Sequence, residues 1–465
     1  MKISVIGCGL RTPLLLHGIA HAQPALSINE IALFDNEAGK AELMASIGGP
    51  LAGPRGIRVL AAKGLEQAIE GCGFVISSIR PGGIESRARD ERIALEHGFA
   101  GQETTGPAGL AMALRTVPVA VEHARLVEKH APDSWLISFT NPAGLVTQAI
   151  TTRTGVRAIG ICDTPAELFF RIALALNEPP ARVHCDYIGL NHLGWVRGVS
   201  LDGRDVLDLL LEDDAQLRRL YPAELFPPQL LRATRLIPTE YVFFYQRQQT
   251  ALGNQRAAGA TRGEELIRLN NRVLSDLALA IKEGDVPRAI DVYKSYLNRR
   301  NASYMRLEGA AESALDHPDP GWDPFQGETG YHRIAVEAMQ ALSSMAPTRV
   351  VLNVANGGTF ADLAPDDVIE APCLVDSAGP RPLSAGGLPS TIRPLVIAVK
   401  EFERLAIRAA EEHSLELACL AMAVNPIAGD WDRARDVVEA LVANDPRYLG
   451  YLNSQPAPFA FGSVS

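Results

Sequence analysis

Five short runs rich in β-branched residues, at 3–6, 30–34, 74–79, 135–139 and 157–161, alternate with stretches that carry apolar residues on one helical face. Strand and helix in strict alternation predict a parallel sheet with helices on both faces, because a parallel neighbour can be reached only by a crossover. At 465 residues the chain exceeds what one such core serves, so a second lobe is expected. Beyond about residue 164 the text changes to long helical patterns at 165–176, 263–282, 334–342, 395–412 and 431–443, broken by polar and Pro/Gly-rich segments. The reading is therefore an α/β chain with an N-terminal Rossmann-like, doubly wound domain over 1–165, followed by a mixed, mostly helical α+β lobe over 166–465. Proline and glycine cluster at 227–228, 316–327 and 377–389, which predicts surface loops.

Composition removes several function classes. A formal charge of -10 without any basic run leaves nothing to track a phosphate backbone, so nucleic acid is not an expected partner. No apolar stretch approaches the ~20 residues needed to cross a bilayer, and the start lacks the layout of a signal peptide; a cytoplasmic protein without a membrane partner is expected. The six cysteines are scattered without CxxC pairs, which argues against a disulfide framework or a structural zinc.

Chemistry-bearing residues fall at the ends of the predicted strands, where open α/β sheets bind their ligands. After the first strand comes Gly7-Cys8-Gly9 and then a helix start near Pro13, a turn suited to a pyrophosphate. Asp35 closes the second strand 26 residues after Gly9 and is placed for a ribose 2′-hydroxyl, which favours NAD over NADP. Thr12 stands where the third glycine of the fingerprint would be, and a plain tight turn is the bland alternative. The third strand leads into Arg80-Pro81-Gly82-Gly83, Arg87 and Asp90, then Gly101-Gln102-Glu103-Thr104-Thr105-Gly106: an anion site, or a solvated loop with a structural ion pair. Asn141 is a partner for sugar hydroxyls or a helix cap. Cys162, after the fifth strand, and His192, in Gly189-Leu190-Asn191-His192, can leave open positions on a divalent metal; a buried thiol and a core imidazole explain them too. Tyr241 belongs to an aromatic patch that reads first as core.

Together these pieces resemble the NAD- and divalent-metal-dependent glycoside hydrolases of family 4, and within them the 6-phospho-β-glucosidases. The likeness runs in order through Gly7–Pro13, Arg80-Pro81-Gly82-Gly83, Arg87, Asp90-Glu91, the stretch 101–106, Thr140-Asn141-Pro142, Gly160-Ile161-Cys162, Gly189–His192, Thr261-Arg262-Gly263-Glu264-Glu265-Leu266 and Asn356-Gly357-Gly358, with Pro372–Val375 and Val399–Leu405 extending it. The resemblance implies that Cys162 and His192 hold Mn²⁺, that Tyr241 is the catalytic base, and that Arg87, Glu103, Asn141, Asn191 and Arg262 contact a phosphorylated disaccharide or glucoside. It gives Gly7, Gly9, Asp35 and Arg80 to NAD. The implied reaction is oxidation of the sugar at C3, loss of the C2 proton, elimination of the aglycone, water addition and re-reduction, a departure from the two-carboxylate route of most glycosidases.

Three positions depart from the pattern. The residue after the metal cysteine is an acid in the phospho-α-glucosidase branch and usually Asn in the β branch; here it is Asp163, which is then a candidate proton donor. Cys8 and Leu10-Arg11 replace a glycine- and serine-rich start, and Arg300-Asn301-Ala302-Ser303-Tyr304 replaces a stretch that is more often Arg-Gly-Gly. The family also implies a homodimer or homotetramer. The rival readings are a phospho-α-glucosidase, a family 4 enzyme for uronic acid or non-phosphorylated glycosides, a 2-hydroxy-acid dehydrogenase on the same sheet, and a sugar-phosphate sensor without chemistry.

Overall fold

The computed structural model describes residues 1–22, 25–221, 224–309, 323–327 and 329–453. Its main sheet opens with six parallel strands, β1 (Lys2–Ile6), β2 (Glu30–Phe34), β3 (Arg58–Ala61), β4 (Cys72–Ser77), β5 (Trp135–Ser138) and β6 (Arg157–Gly160). Beyond them a hairpin forms a second sheet from β7 (Val183–Leu190) and β8 (Leu193–Leu201), with the short β9 (Arg204–Asp205) and β10 (Ile237–Pro238) beside β8. Three late strands, β11 (Thr348–Ala355), β12 (Val368–Asp376) and β13 (Gly379–Pro382), return antiparallel to the first sheet and extend it past β6. The nine-strand order is β13-β12-β11-β6-β5-β4-β1-β2-β3.

Alternation along the strands shows why both faces are covered. Ile3 and Val5 of β1 and Phe74 and Ile76 of β4 pack under helices Thr12–His21, Ala38–Ala52 and Tyr331–Leu342, while Ile6 and Val75 between them meet Ala120, Ala124, Val146 and Ile150 on the other side. Successive side chains of a strand point to opposite faces, so near-continuous apolar runs mark strands buried twice. The expected doubly wound domain is thus present, with a largely helical remainder and its antiparallel additions. The C-terminal helices Arg393–Glu412, Leu415–Val424 and Trp431–Asn444 pack against helix Gly106–His130.

The differences from the sequence reading are local. Edge strand β3 carries only the half-exposed Val59 and Ala61 among polar or exposed neighbours, so its apolar signal is weak. The stretch 377–389 is not all loop: residues 379–382 form edge strand β13, where prolines are tolerated. Pro227-Pro228 opens a short helix, and of the segment 316–327 the residues 316–322 lie outside the described residues. Among the described residues no helix is long and apolar enough to cross a membrane.

Candidate active site

The order of the sheet reverses between β1 and β4, and the carboxyl ends of β1, β2, β4, β5 and β6 deliver Gly7, Asp35, Arg80, Asn141 and Cys162 to one edge. At Gly7 the backbone has φ +89°, and a Cβ there would lie 2.5 Å from the carbonyl oxygen of Ser78, so only glycine lets the two chain ends cross. A Cβ on Gly9 would meet nothing within 4 Å, which leaves that backbone open to close approach. Asp35 braces the turn: its carboxylate accepts the backbone N–H of Cys8 at 2.8 Å and that of Glu37 at 2.9 Å. Helix Thr12–His21 follows with proline in its first turn and no acidic residue there, which suits its unpaired N–H groups to a phosphate.

Across the edge, Cys162 Sγ lies 3.4 Å from His192 Nε2, both side chains buried. The imidazole is fixed from behind. Thr104 spends its hydroxyl proton on Gln102 Oε1 at 2.8 Å and so accepts from His192 Nδ1 at 2.7 Å, which turns the Nε2 lone pair toward Cys162. Burial lowers the His192 pKa to about 4, so the ring is neutral near pH 7. Burial, helped by Glu370 and Asp163, holds the Cys162 thiol well above its ordinary value. His192 sits in the β7–β8 turn with φ +59°, and Gly189 is required beside it because a Cβ would stand 2.4 Å from the Leu193 carbonyl oxygen. Among the described residues no group of three His, Cys, Asp or Glu side chains is arranged to hold a metal. Two soft or borderline donors with free lone pairs fit a catalytic ion whose other positions go to water and substrate, and do not fit a closed structural site.

Tyr241 lies flat on the His192 ring, with centroids 3.8 Å apart and planes 12° from parallel. Burial and then Glu240 push its phenol far up, while its contact with the Tyr304 hydroxyl pulls it down. Asp163 is also raised, burial outweighing the pull of Arg11. Tyr331 hydrogen-bonds Asp163, and the Arg11 guanidinium sits 3.9 Å over the Tyr331 ring and 3.9 Å from Asp163. Thr104 and Arg11 stand in the sequence only as members of longer stretches and Tyr331 not at all, since nothing in their local spacing ties them to partners 88 to 320 positions away.

The arginines form a second group. Glu103 takes Arg80 at 2.6 Å and Arg87 at 2.8 Å, and Arg87 also bonds Glu91 at 2.7 Å. Burial alone would raise Glu103, but Arg80 and Arg87 hold it well below the carboxylate range. Glu91 in turn accepts the N–H of Gly263 at 2.6 Å, and Arg262 bonds Glu265 at 3.0 Å and the carbonyls of Ser303 at 3.0 Å and Arg300 at 2.9 Å. Burial, and then the like charge of Arg300, lowers the Arg262 pKa, a sign of cations gathered without full compensation. Asn141 does not cap the helix that follows it; Asn191 does so from across the fold, accepting the Ala143 N–H at 3.1 Å while donating to Glu370 at 3.1 Å. The Asn141–Pro142 peptide is cis. Glu103 links the two groups, its charge reaching His192, Tyr241 and Arg11, whereas Asp35 stands apart on the far side of β1.

A dinucleotide-type sheet with a thiol–imidazole pair and an arginine group at its carboxyl edge defines a class of enzyme, and the comparisons with known proteins place the chain within it. Residues 2–178 match the family 4 glycosyl hydrolase model and residues 187–428 match the family 4 glycosyl hydrolase C-terminal domain. The chain belongs to family 4 of the glycosyl hydrolases. It is 28% identical to a probable 6-phospho-beta-glucosidase of Bacillus subtilis, over 97% of each chain, and 25% identical to the phospho-alpha-glucosidase PagL of Clostridium acetobutylicum, over 97% of this chain and 99% of the other. It superposes with a TM-score of 0.79 on the 6-phospho-beta glucosidase of Thermotoga maritima solved with manganese, NAD⁺ and glucose-6-phosphate, at 27% identity over 96% of this chain and 99% of that one. Family membership makes the protein a glycoside hydrolase and removes the dehydrogenase reading.

Proposed function

We propose that this enzyme is an NAD- and Mn²⁺-dependent 6-phospho-β-glucosidase acting on substrates such as cellobiose 6-phosphate, in the cytoplasm and as a homodimer or homotetramer. The observation that carries the reading is the buried Cys162–His192 pair under the Tyr241 ring, opposite the Gly7 turn. Full-length likeness to β-specific relatives supports the anomer. When bound, NAD⁺ supplies a reversible hydride acceptor and Mn²⁺ a Lewis acid beside the sugar oxygens, which together make a carbon-bound proton removable. Cys162 and His192 would hold the metal; Gly7, Gly9, Asp35 and Arg80 would hold the dinucleotide. Tyr241 is the base for the C2 proton, and because burial and Glu240 disfavour its phenolate, it works only where positive charge is supplied locally. Asp163, whose neutral form burial favours, gives its proton to the departing oxygen. Arg87 and Arg262, joined by Arg300, receive the phosphate; Asn141 meets sugar hydroxyls, and Asn191 keeps the His192 turn in place.

One observation favours the α anomer instead: an acid, Asp163, directly follows the metal-site cysteine. Release of nitrophenol from the α- and β-anomers of nitrophenyl glucoside 6-phosphate, with NAD⁺, Mn²⁺ and reductant each omitted in turn, separates the two. Turnover of the β anomer that stops without NAD⁺ or Mn²⁺ is expected. Turnover of the α anomer alone would transfer the assignment to the α branch.

A further inference from the structure

Several buried carboxylates here meet a cation: Asp90 meets Arg115, Glu91 and Glu103 meet Arg87, Asp367 meets Arg404, and Glu403 meets Lys400. Glu370, 1% exposed in the middle of β12, does not. Its Oε1 accepts the side-chain amides of Asn191 and Asn353, each at 3.1 Å, and its Oε2 accepts the Tyr187 hydroxyl at 2.6 Å. Three donors converge on the group and favour its anion, working against a burial that pushes its pKa up to about 7. Among the described residues no Lys, Arg or His lies within ion-pair distance of it. A buried charge left in that state is expensive unless a compensating charge arrives.

The place of Glu370 in the fold indicates what that charge is. Glu370 is the register partner of Asn353 on β11, and Asn353 pairs with Gly160 on β6, two residues before Cys162. Through Asn191 it also grips the turn that carries His192, since the same Asn191 amide that donates to Glu370 accepts from Ala143. We propose that Glu370 is a positioning residue of the metal centre, which fixes the His192 turn through Asn191 and supplies the second negative charge that, with the Cys162 thiolate, balances a divalent cation. This inference rests on the reading of Cys162 and His192 as metal ligands.

Mn²⁺ affinity, measured by electron paramagnetic resonance titration of the full-length protein with NAD⁺ present, tests it without recourse to turnover. Wild type should bind one Mn²⁺ per chain, and Glu370→Gln, which keeps shape but not charge, should bind it about 10- to 100-fold more weakly, as loss of an outer-shell partner does, with NAD⁺ affinity unchanged. Glu370→Asp, which keeps the charge and shortens the reach, should stay within about tenfold of wild type, on the weak side of that same range. Should the Gln variant fail to fold, the Asp variant decides: affinity near wild type supports the charge role, and a loss greater than tenfold overturns it. Equal Mn²⁺ affinity in wild type and Glu370→Gln also overturns it and leaves the ligand assignment standing. No Mn²⁺ binding by wild type would instead overturn the ligand assignment and this inference with it.

Discussion

Helix Gly83–Glu96 carries Asp90 into one arginine cluster and Arg87 into another, a turn apart, and the two clusters are finished differently. Around Arg115, wholly buried, stand Asp90 and Asp445, with Ser86 donating to Asp445 and Arg89 reaching it from the surface. Two positive and two negative charges cancel, and the sequence closes over them with Tyr451 bonded to the Leu114 carbonyl. Around Arg87 the cations Arg80, Arg262, Arg300 and Arg306 gather on Glu91, Glu103, Glu265 and Glu308, five arginines against four carboxylates, which leaves one positive charge over and Arg300 with the Tyr296 hydroxyl at 3.1 Å as its partner. A complete cluster holds helices together; an incomplete one is a place for an anion to bind.

That contrast can be broken most severely at Arg115. Arg115→Ala strands two buried carboxylates and should cost about 3–5 kcal/mol, read as a fall in the urea midpoint at unchanged m-value; a variant of wild-type stability would mean the cluster is not the closed one. Cys162→Ser should lower Mn²⁺-dependent turnover by at least about 100-fold, a larger loss than an outer-shell change gives, while NAD⁺ binding persists. Unchanged Mn²⁺ activation in that variant would remove Cys162 from the metal site. Arg300→Ala, on the open side, should raise KM for a 6-phosphorylated substrate roughly 10- to 100-fold, the worth of one charged hydrogen bond, with stability little changed; the reverse pattern would make Arg300 structural. Thr104→Val should weaken Mn²⁺ binding about tenfold by freeing the His192 tautomer, and an equally tight ion would show that the Thr104 bond does not set it.

The contrast also shows what was legible before any coordinates. Strand positions and their carboxyl-terminal residues could be read because burial on both faces writes an unbroken apolar run, and Gly7 because a crossing of two chain ends forbids a Cβ. The β7–β8 hairpin is written in the alternation Val183-His184-Cys185-Asp186-Tyr187, although the apolar Tyr187-Ile188 and the glycine at 189 break that period before the turn. Strands β11 to β13 were not readable, since their place beside β6 is settled by pairing across nearly two hundred residues. The same holds for function. Cys162 and His192 are metal candidates by their chemistry and the place of Cys162 after a strand, and Tyr241 gains a role beyond core only through family resemblance, whereas Thr104, Arg11, Tyr331 and Glu370 act through contacts that no local period encodes.

The central claim, removal of a carbon-bound proton at a Cys162–His192 metal centre, is tested most directly by cleaving a 6-phospho-β-glucoside in D₂O with NAD⁺ and Mn²⁺ and examining the glucose 6-phosphate released. The account predicts deuterium at C2 of the product, with incorporation and cleavage lost together in Tyr241→Phe. Rapid cleavage that leaves the original hydrogen at C2, or that survives in Tyr241→Phe, would contradict it.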